Sequence, residues 1–366
     1  MAIYQVIGLM SGSSLDGIDL AWCTFAFSST QSAQLLRWEF HAGETIAYTA
    51  DWQQRLRESI QLNGRELWAL HTDLGLLYGQ AIESFIGRHQ AQVDFVASHG
   101  HTVFHDPQRQ TTTQIGDGAA LAAVLQMPVI DQFRTQDMAL GGQGAPLAPL
   151  ADQYLFSKYF ACLNLGGIAN ISLQTAGGYI AFDITGANQV LDTLMTEVNL
   201  AYDEDGRLAR SGKVIPDLLK QANNLSYLKM PPPKSLGNDW VQEELLTLFR
   251  NKDWSLADRL HTLCVHVGQQ TGKSIQRVAK TEQLLLSNQD RILVSGGGAF
   301  NRFLCEQIAV AVQPLQLEVA SPEIIAYKEA ILMGLAGALR WQEQPNVLPS
   351  VTGAKRATVG GAIHWG

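Results

Sequence analysis

Gly12-Ser13-Ser14-Leu15-Asp16-Gly17-Ile18-Asp19 lies between an apolar run, residues 4–10, and an alternating run, residues 18–25. The pattern reads as strand, glycine turn, strand. Phosphate needs several N–H donors converging on a small volume, and glycine lets the backbone approach with no Cβ in the way. Ser13 and Ser14 add hydroxyl donors. Asp16 and Asp19 are spaced to hold a magnesium-bound water, because magnesium prefers oxygen ligands and keeps its hydration. Taken alone, the stretch is equally a plain hairpin turn.

The second half of the chain repeats the arrangement. Residues 159–165 form a strand run, Gly166-Gly167-Ile168-Ala169-Asn170 is a turn, and Ile171-Ser172-Leu173 returns. A third glycine device follows the short apolar strand Ile292-Leu293-Val294-Ser295: Gly296-Gly297-Gly298, then a helical segment over residues 301–312. Identity between the two halves is low, so the duplication is one of structure. Helical spacing marks residues 52–88 (Leu67, Leu70, Leu74, Leu77, Tyr78, Ile82, Phe85) and residues 256–286, while residues 93–98 read as a buried strand. The Gly/Pro-rich residues 141–149 are the expected junction. It divides the chain into domains 1–140 and 141–366, the C-terminal tail being free to return to the first.

The bulk numbers agree with two α/β domains. A chain of 366 residues exceeds one comfortable core, and 46% hydrophobic with 16% charged residues is an ordinary globular balance. A net charge of -8 excludes a general affinity for nucleic acid. No apolar stretch is long enough for a bilayer and no signal peptide opens the chain. The four cysteines are scattered, which fits buried thiols in a cytoplasmic protein better than disulfides or a thiolate metal site.

Several side chains carry competing readings. Gly268-Gln269-Gln270-Thr271-Gly272-Lys273-Ser274 resembles a phosphate-binding P-loop, but has three residues between the glycines where four are required. It also falls in a helical pattern. His99, His101 and His105 alternate as metal ligands could, although substrate contacts or hydrogen-bonded core histidines are the stronger readings. Asp183 closes a strand and precedes a helix, so it is either a ligand-facing carboxylate or a turn aspartate. Glu329 would ordinarily be a solvated or salt-bridged charge. Arg134 with Asp131 is either a surface ion pair or a fork for a substrate carboxylate.

Taken in order, these residues resemble the anhydro-N-acetylmuramic acid kinase family. The likeness is carried by Met10 through Asp19, Ser98-His99-Gly100-His101-Thr102-Val103-Phe104-His105, Gln114-Ile115-Gly116-Asp117, residues 137–149 and 164–171, Gly296-Gly297-Gly298 with Asn301, and residues 346–354. His101 stands where the family usually has glutamine, and Ile184-Thr185-Gly186-Ala187-Asn188 replaces its usual Thr-Gly-Pro-Gly-Asn. The resemblance implies an actin-like α/β fold of two related domains with an ATP cleft between them. The first domain would carry phosphate loop 1, and the second phosphate loop 2 and the adenosine motif. It further implies ATP and Mg2+ as cofactors, an amino sugar as the small-molecule partner, and no nucleic acid or membrane. A homodimer is left open. Asp183 and Glu329 become the expected catalytic pair. Gly12, Ser13, Ser14, Leu15, Asp16, Gly17, Ile18, Asp19, Gly166, Gly167, Asn170, Gly296, Gly297, Gly298 and Asn301 would hold ATP. His99, His101, Thr102, Asp131 and Arg134 would hold the sugar.

Overall fold

The computed structural model describes residues 1–12, 14–29 and 34–366, so Ser13 of the first turn lies outside the described residues. The chain forms two compact units, Met1–Leu155 with Tyr327–Gly366, and Phe156–Ala326.

In unit 1 the strands β1 (Ala2–Ser11), β2 (Gly17–Phe27) and β3 (Leu35–Ala47) form an antiparallel meander. β4 (Phe95–Asp106) lies parallel to β1, and β6 (Val129–Asp131) parallel to β4; β5 (Thr111–Ile115) pairs with β4. Unit 2 repeats the plan. β7 (Ala161–Leu165), β8 (Ile168–Thr175) and β9 (Gly178–Gly186) are an antiparallel meander, while β10 (Arg291–Ser295) and β11 (Gln316–Val319) are added parallel beside β7. The orders β3-β2-β1-β4-β6 and β9-β8-β7-β10-β11 match strand for strand. In unit 1, β12 (Ala362–His364) adds antiparallel to β6. The fold is the duplicated α/β arrangement of the actin-like class, as the two strand–turn–strand readings anticipate.

β1 is central and therefore apolar on both faces: Val6, Ile7 and Leu9 are wholly buried. Ile7 and Leu9 share a cluster with Ile18 and Leu20, and with Leu70, Leu74, Tyr78, Ile82 and Phe85 of helix Gly64–His89. That helix starts at a capping box, Asn63 with Glu66. Each large apolar side chain buried here contributes about 1.5–3 kcal/mol. On the other face, helix Pro322–Trp341 comes so close that a Cβ built on Gly8 would stand 1.8 Å from Ala330 O.

The domain boundary differs from the expected 140/141. Residues 141–149 are fastened inside unit 1: the buried Asp137 carboxylate accepts from Gly144 N–H at 2.7 Å and from the Thr352 hydroxyl at 2.8 Å. Gln143 N–H donates to Thr352 O at 2.9 Å. Glycine and proline here make a tight loop, and the junction falls at Leu155/Phe156. The return to unit 1 begins at Tyr327, within helix Pro322–Trp341, so it includes Glu329 as well as the tail.

Gly268 and Gly272 lie in helix Leu256–Thr281 and face helix Arg302–Ala311. A Cβ on either would fall 2.6 Å from Gln307 O or 2.3 Å from Ala311 O. The near-miss P-loop is a helix–helix contact. All four cysteines are buried and none is in a disulfide.

Candidate functional site

The first turn is built by its neighbours. Leu15 has φ +60°, its N–H donates to Gly12 O at 3.3 Å, and Gln53 Nε2 donates to Leu15 O at 3.2 Å. Gly17 has no room for a Cβ, which would meet Ile46 O at 2.5 Å. Ile18 points into the core, so its contribution to the turn is packing. Ser14 and Asp16 are exposed, and Asp19 is half-buried on β2 with Thr45 Oγ1 donating to Oδ1 at 2.6 Å. Burial raises the Asp19 carboxyl, the Thr45 hydrogen bond opposes this, and the Asp16 charge adds to the rise. A half-buried carboxylate with a second carboxylate charge beside it fits a hydrated cation, which would offset that repulsion at Asp19.

Elsewhere in unit 1, a cavity of about 260 Å³ is lined by His99, Arg134 and Glu329, with Met10, Pro146 and Leu332 among its apolar walls. Arg134 donates Nε–H to His99 Nε2 at 2.8 Å and Nη1–H to Gly144 O at 2.6 Å. His99 Nδ1 lies 2.9 Å from Gly100 O, so the ring carries its proton there. Burial, with Arg134 beside it, pushes His99 down to about 3. Burial raises the Glu329 carboxyl, Arg134 opposes the rise, and Asp19 adds to it.

His101 does not join this cavity. Gly100 at φ +72° and a register shift between Leu9 and Ser11 break the alternation of β4. His101 instead reaches Ser11 Oγ at 3.4 Å, in a chain continuing to Tyr48 (2.8 Å) and Tyr78 (3.2 Å). Thr102 accepts from Gln114 Nε2 at 3.2 Å, and His105 pairs with Thr112 at 3.2 Å. Among the described residues no cluster of three metal-ligating side chains forms. Asp131 also stands apart: it receives Gly118 N–H at 3.2 Å and faces His364 Nε2 at 2.9 Å, tying β6 to β12. Its partner is therefore not Arg134.

In unit 2 the second and third glycine devices meet. A Cβ on Gly296, at φ +83°, would lie 2.6 Å from Asn164 Oδ1, and one on Gly298 would lie 2.7 Å from Asn188 Oδ1. Gly166 and Gly167 carbonyls receive the N–H groups of Ala187, Asn188 and Gln189 at 2.8–3.2 Å, which closes the turn onto helix Asn188–Met195. Asn301 caps helix Arg302–Ala311, accepting Leu304 N–H at 2.9 Å. Gly297, Gly298 and Asn301 line a cavity of about 550 Å³ with Asn188, Asp192 and Tyr202. Burial pushes the Asp192 carboxyl up to about 6. Asp192 was not foreseen, since a lone aspartate in a helix gives no signal.

Asp183 is placed by a β-bulge. Asn170 pairs with Asp183 while Ala169 pairs with Thr185, so Ile184 is the extra residue on β9. Such a bulge re-aims the flanking side chains. Ile184 enters the core, and Asp183 stays half-buried with Oδ2 accepting Leu236 N–H at 2.8 Å. Oδ1 has no hydrogen bond among the described residues. Burial raises the carboxyl, opposed by the Leu236 N–H and by Lys234. The arrangement can take a proton from a water.

The family model described as anhydro-N-acetylmuramic acid kinase matches residues 4–366. A protein of that name from Bacillus cereus (strain Q1) is 31% identical over 386 residues, covering 98% of this chain and 99% of the relative. Another, from Bacillus thuringiensis (strain Al Hakam), is 31% identical over 391 residues, covering 100% and 99%. Among solved structures, an activator of 2-hydroxyisocaproyl-CoA dehydratase from Clostridium difficile with bound ADPNP is 12% identical at a TM-score of 0.40, covering 92% of this chain and 97% of that one. A ROK family glucokinase from Streptomyces griseus in complex with glucose and AMPPNP is 12% identical at a TM-score of 0.37, covering 92% and 99%.

Proposed function

The chain belongs to the anhydro-N-acetylmuramic acid kinase family, and on that premise we propose that it opens 1,6-anhydro-N-acetylmuramic acid with water while phosphorylating O6 from ATP. The products are N-acetylmuramic acid 6-phosphate and ADP, and the setting is the cytoplasmic recycling of bacterial cell-wall sugars. The observation that carries the reading is Asp183: a half-buried carboxylate with raised proton affinity and one unbonded oxygen, aimed by a bulge.

Asp183 takes a proton from water as that oxygen bonds to C1 and the C1–O6 bond breaks. O6 attacks the γ-phosphorus of ATP, and the bond to the bridging oxygen of ADP breaks. The proton leaves from Asp183 afterwards. Hydrolysis that inverts C1 ordinarily needs an acid for the leaving oxygen. Here phosphoryl capture of O6 replaces it, so one base suffices. Glu329 orients sugar and water, and Arg134 with His99 receives the lactyl carboxylate. Gly12, Ser14 and the glycines at 166–167 and 296–298 are assigned to the nucleotide, as is Ser13. Asp16 and Asp19 would hold magnesium through water; when bound, it supplies charge neutralisation for phosphoryl transfer.

Mass analysis of products formed from the anhydro sugar, ATP and magnesium tests the reading. Gain of one phosphoryl group plus one water supports it. Gain of phosphoryl alone makes the protein a simple sugar-hydroxyl kinase, and ADP release with unchanged sugar makes it an ATPase module. Asp183→Asn should lose about 10²–10⁴-fold in kcat while ATP binding persists, the usual worth of a general base.

A further inference from the structure

The segment following Pro231-Pro232-Pro233 holds Asp183 at several points. Asp183 N–H donates to Lys234 O at 3.1 Å, and Leu236 N–H donates to Asp183 Oδ2. Tyr227 OH donates to Asp183 O at 2.8 Å. The Lys234 side chain turns back to the same tyrosine: its Nζ lies 4.4 Å from the Tyr227 ring centroid and donates to Tyr227 O at 3.3 Å. Lys234 is half-buried and forms no ion pair among the described residues.

The charged and titratable groups facing it come from three elements. They are Asp183 on β9, Tyr227 in the turn Ser226–Lys229, and Arg277 on helix Leu256–Thr281. Arg277 is itself fixed by Leu228 O at 3.1 Å and Met230 O at 3.0 Å. It repels Lys234 without competing for Asp183's backbone.

We propose that Lys234 is a positioning residue for the proposed reaction: seated on Tyr227, whose OH bonds Asp183 O, it holds the Asp183 strand in place and keeps an ammonium near that carboxylate. The inference rests on the reading of Asp183 as the base. Two features support it. Lys234 opposes the upward push that burial exerts on Asp183. Burial, with Arg277 nearby, brings Lys234 itself down to about 8, so its charge is present throughout the acidic range where Asp183 titrates. A lysine placed only to pack on an aromatic ring would leave Asp183's titration untouched.

The test is the pH profile of kcat/KM for ADP formation with the anhydro sugar, in wild type, Lys234→Met, Lys234→Gln and Lys234→Arg. Circular dichroism and ATP binding certify folding. The acid limb should move up by about 1 pH unit in whichever neutral variant folds, and stay near the wild-type position in Lys234→Arg. An unmoved limb in the neutral variants, whether activity falls evenly or not at all, overturns the proposal. Asp183→Asn separates the two readings: near-normal turnover there defeats the base assignment itself. Loss of turnover there with an unmoved limb at Lys234 defeats only the present inference.

Discussion

Arg134 donates its Nε–H to His99 Nε2 at 2.8 Å, and this bond sets the tautomer of the histidine. With Nε2 occupied as an acceptor, the proton sits on Nδ1 beside Gly100 O. His99 is neutral, so the Arg134 guanidinium is held by two uncharged acceptors, His99 and Gly144 O. Arg134 forms no ion pair among the described residues. A half-buried cation so arranged keeps its charge for an incoming anion.

Arg134→Lys should therefore weaken use of the sugar much more than use of ATP. A single ammonium cannot hold His99 and Gly144 O while presenting a second edge. The expected loss is about 10–100-fold in kcat/KM for the sugar, from a charge-assisted bond worth about 1.5–3 kcal/mol. Initial rates at varied sugar and fixed ATP measure it, and an equal rise in the ATP KM would contradict the assignment.

Asp137→Asn should disturb the same side of the molecule from a distance. Asp137 is fully buried and accepts from both Gly144 N–H and Thr352 Oγ1. An amide at this position can keep its oxygen on Gly144 N–H only by turning its NH2 onto Thr352 Oγ1, so two bonds to a charged carboxylate become weaker neutral ones, costing about 1–2 kcal/mol. Urea unfolding should show that loss, together with a raised sugar KM, because Gly144 O is the acceptor of Arg134.

Stability should respond to pH through His266. It is wholly buried, with Nδ1 2.8 Å from Asn223 Oδ1 and Nε2 3.0 Å from Thr185 Oγ1, and burial pushes it down to about 3. Between the unfolded value near 6.5 and about 3, the unfolded chain binds the proton and the folded chain does not. His266 thus subtracts stability progressively as pH falls below 6.5. The stability difference between wild type and His266→Gln should change by at most about 1.4 kcal/mol per pH unit in that window. Denaturant titrations at several pH values supply the slope, and a difference that stays flat would show that His266 is not held neutral.

Gly272→Val tests the packing account of the near-miss P-loop. The new side chain would strike Ala311 O, and overpacking of this kind costs about 1–3 kcal/mol. Denaturation midpoints should drop while the ATP KM of the folded protein stays within about two-fold. A selective loss of ATP binding at unchanged stability would restore a phosphate role to that segment.

The legible part of the fold was its repeated strand–glycine–strand unit, since apolar runs and glycine turns are local signals. β1 with β2 and β7 with β8 form as read. The junction was misplaced because Gly and Pro mark a tight loop as readily as a linker, and only Asp137 and Thr352, 215 residues apart, reveal which. Arg134, His99 and Glu329 do line one cavity. Asp131, three residues before Arg134, pairs instead with His364 at the far end of the chain. His101 was lost to the cavity through one positive φ at Gly100, a conformation that glycine permits and does not announce. Tyr227 and Lys234 carry no local mark either, because their relation to Asp183 exists only across a loop.

The contact at Gly8 bears on more than packing. β1 runs straight into the first glycine turn, and the helix pressed against its Gly8 carries Glu329 one residue before the touching Ala330. With backbone against backbone there is no pliable side chain to absorb a displacement. The turn assigned to the nucleotide and the glutamate assigned to the sugar thus share one rigid mount, and Gly8 sets the gauge between them.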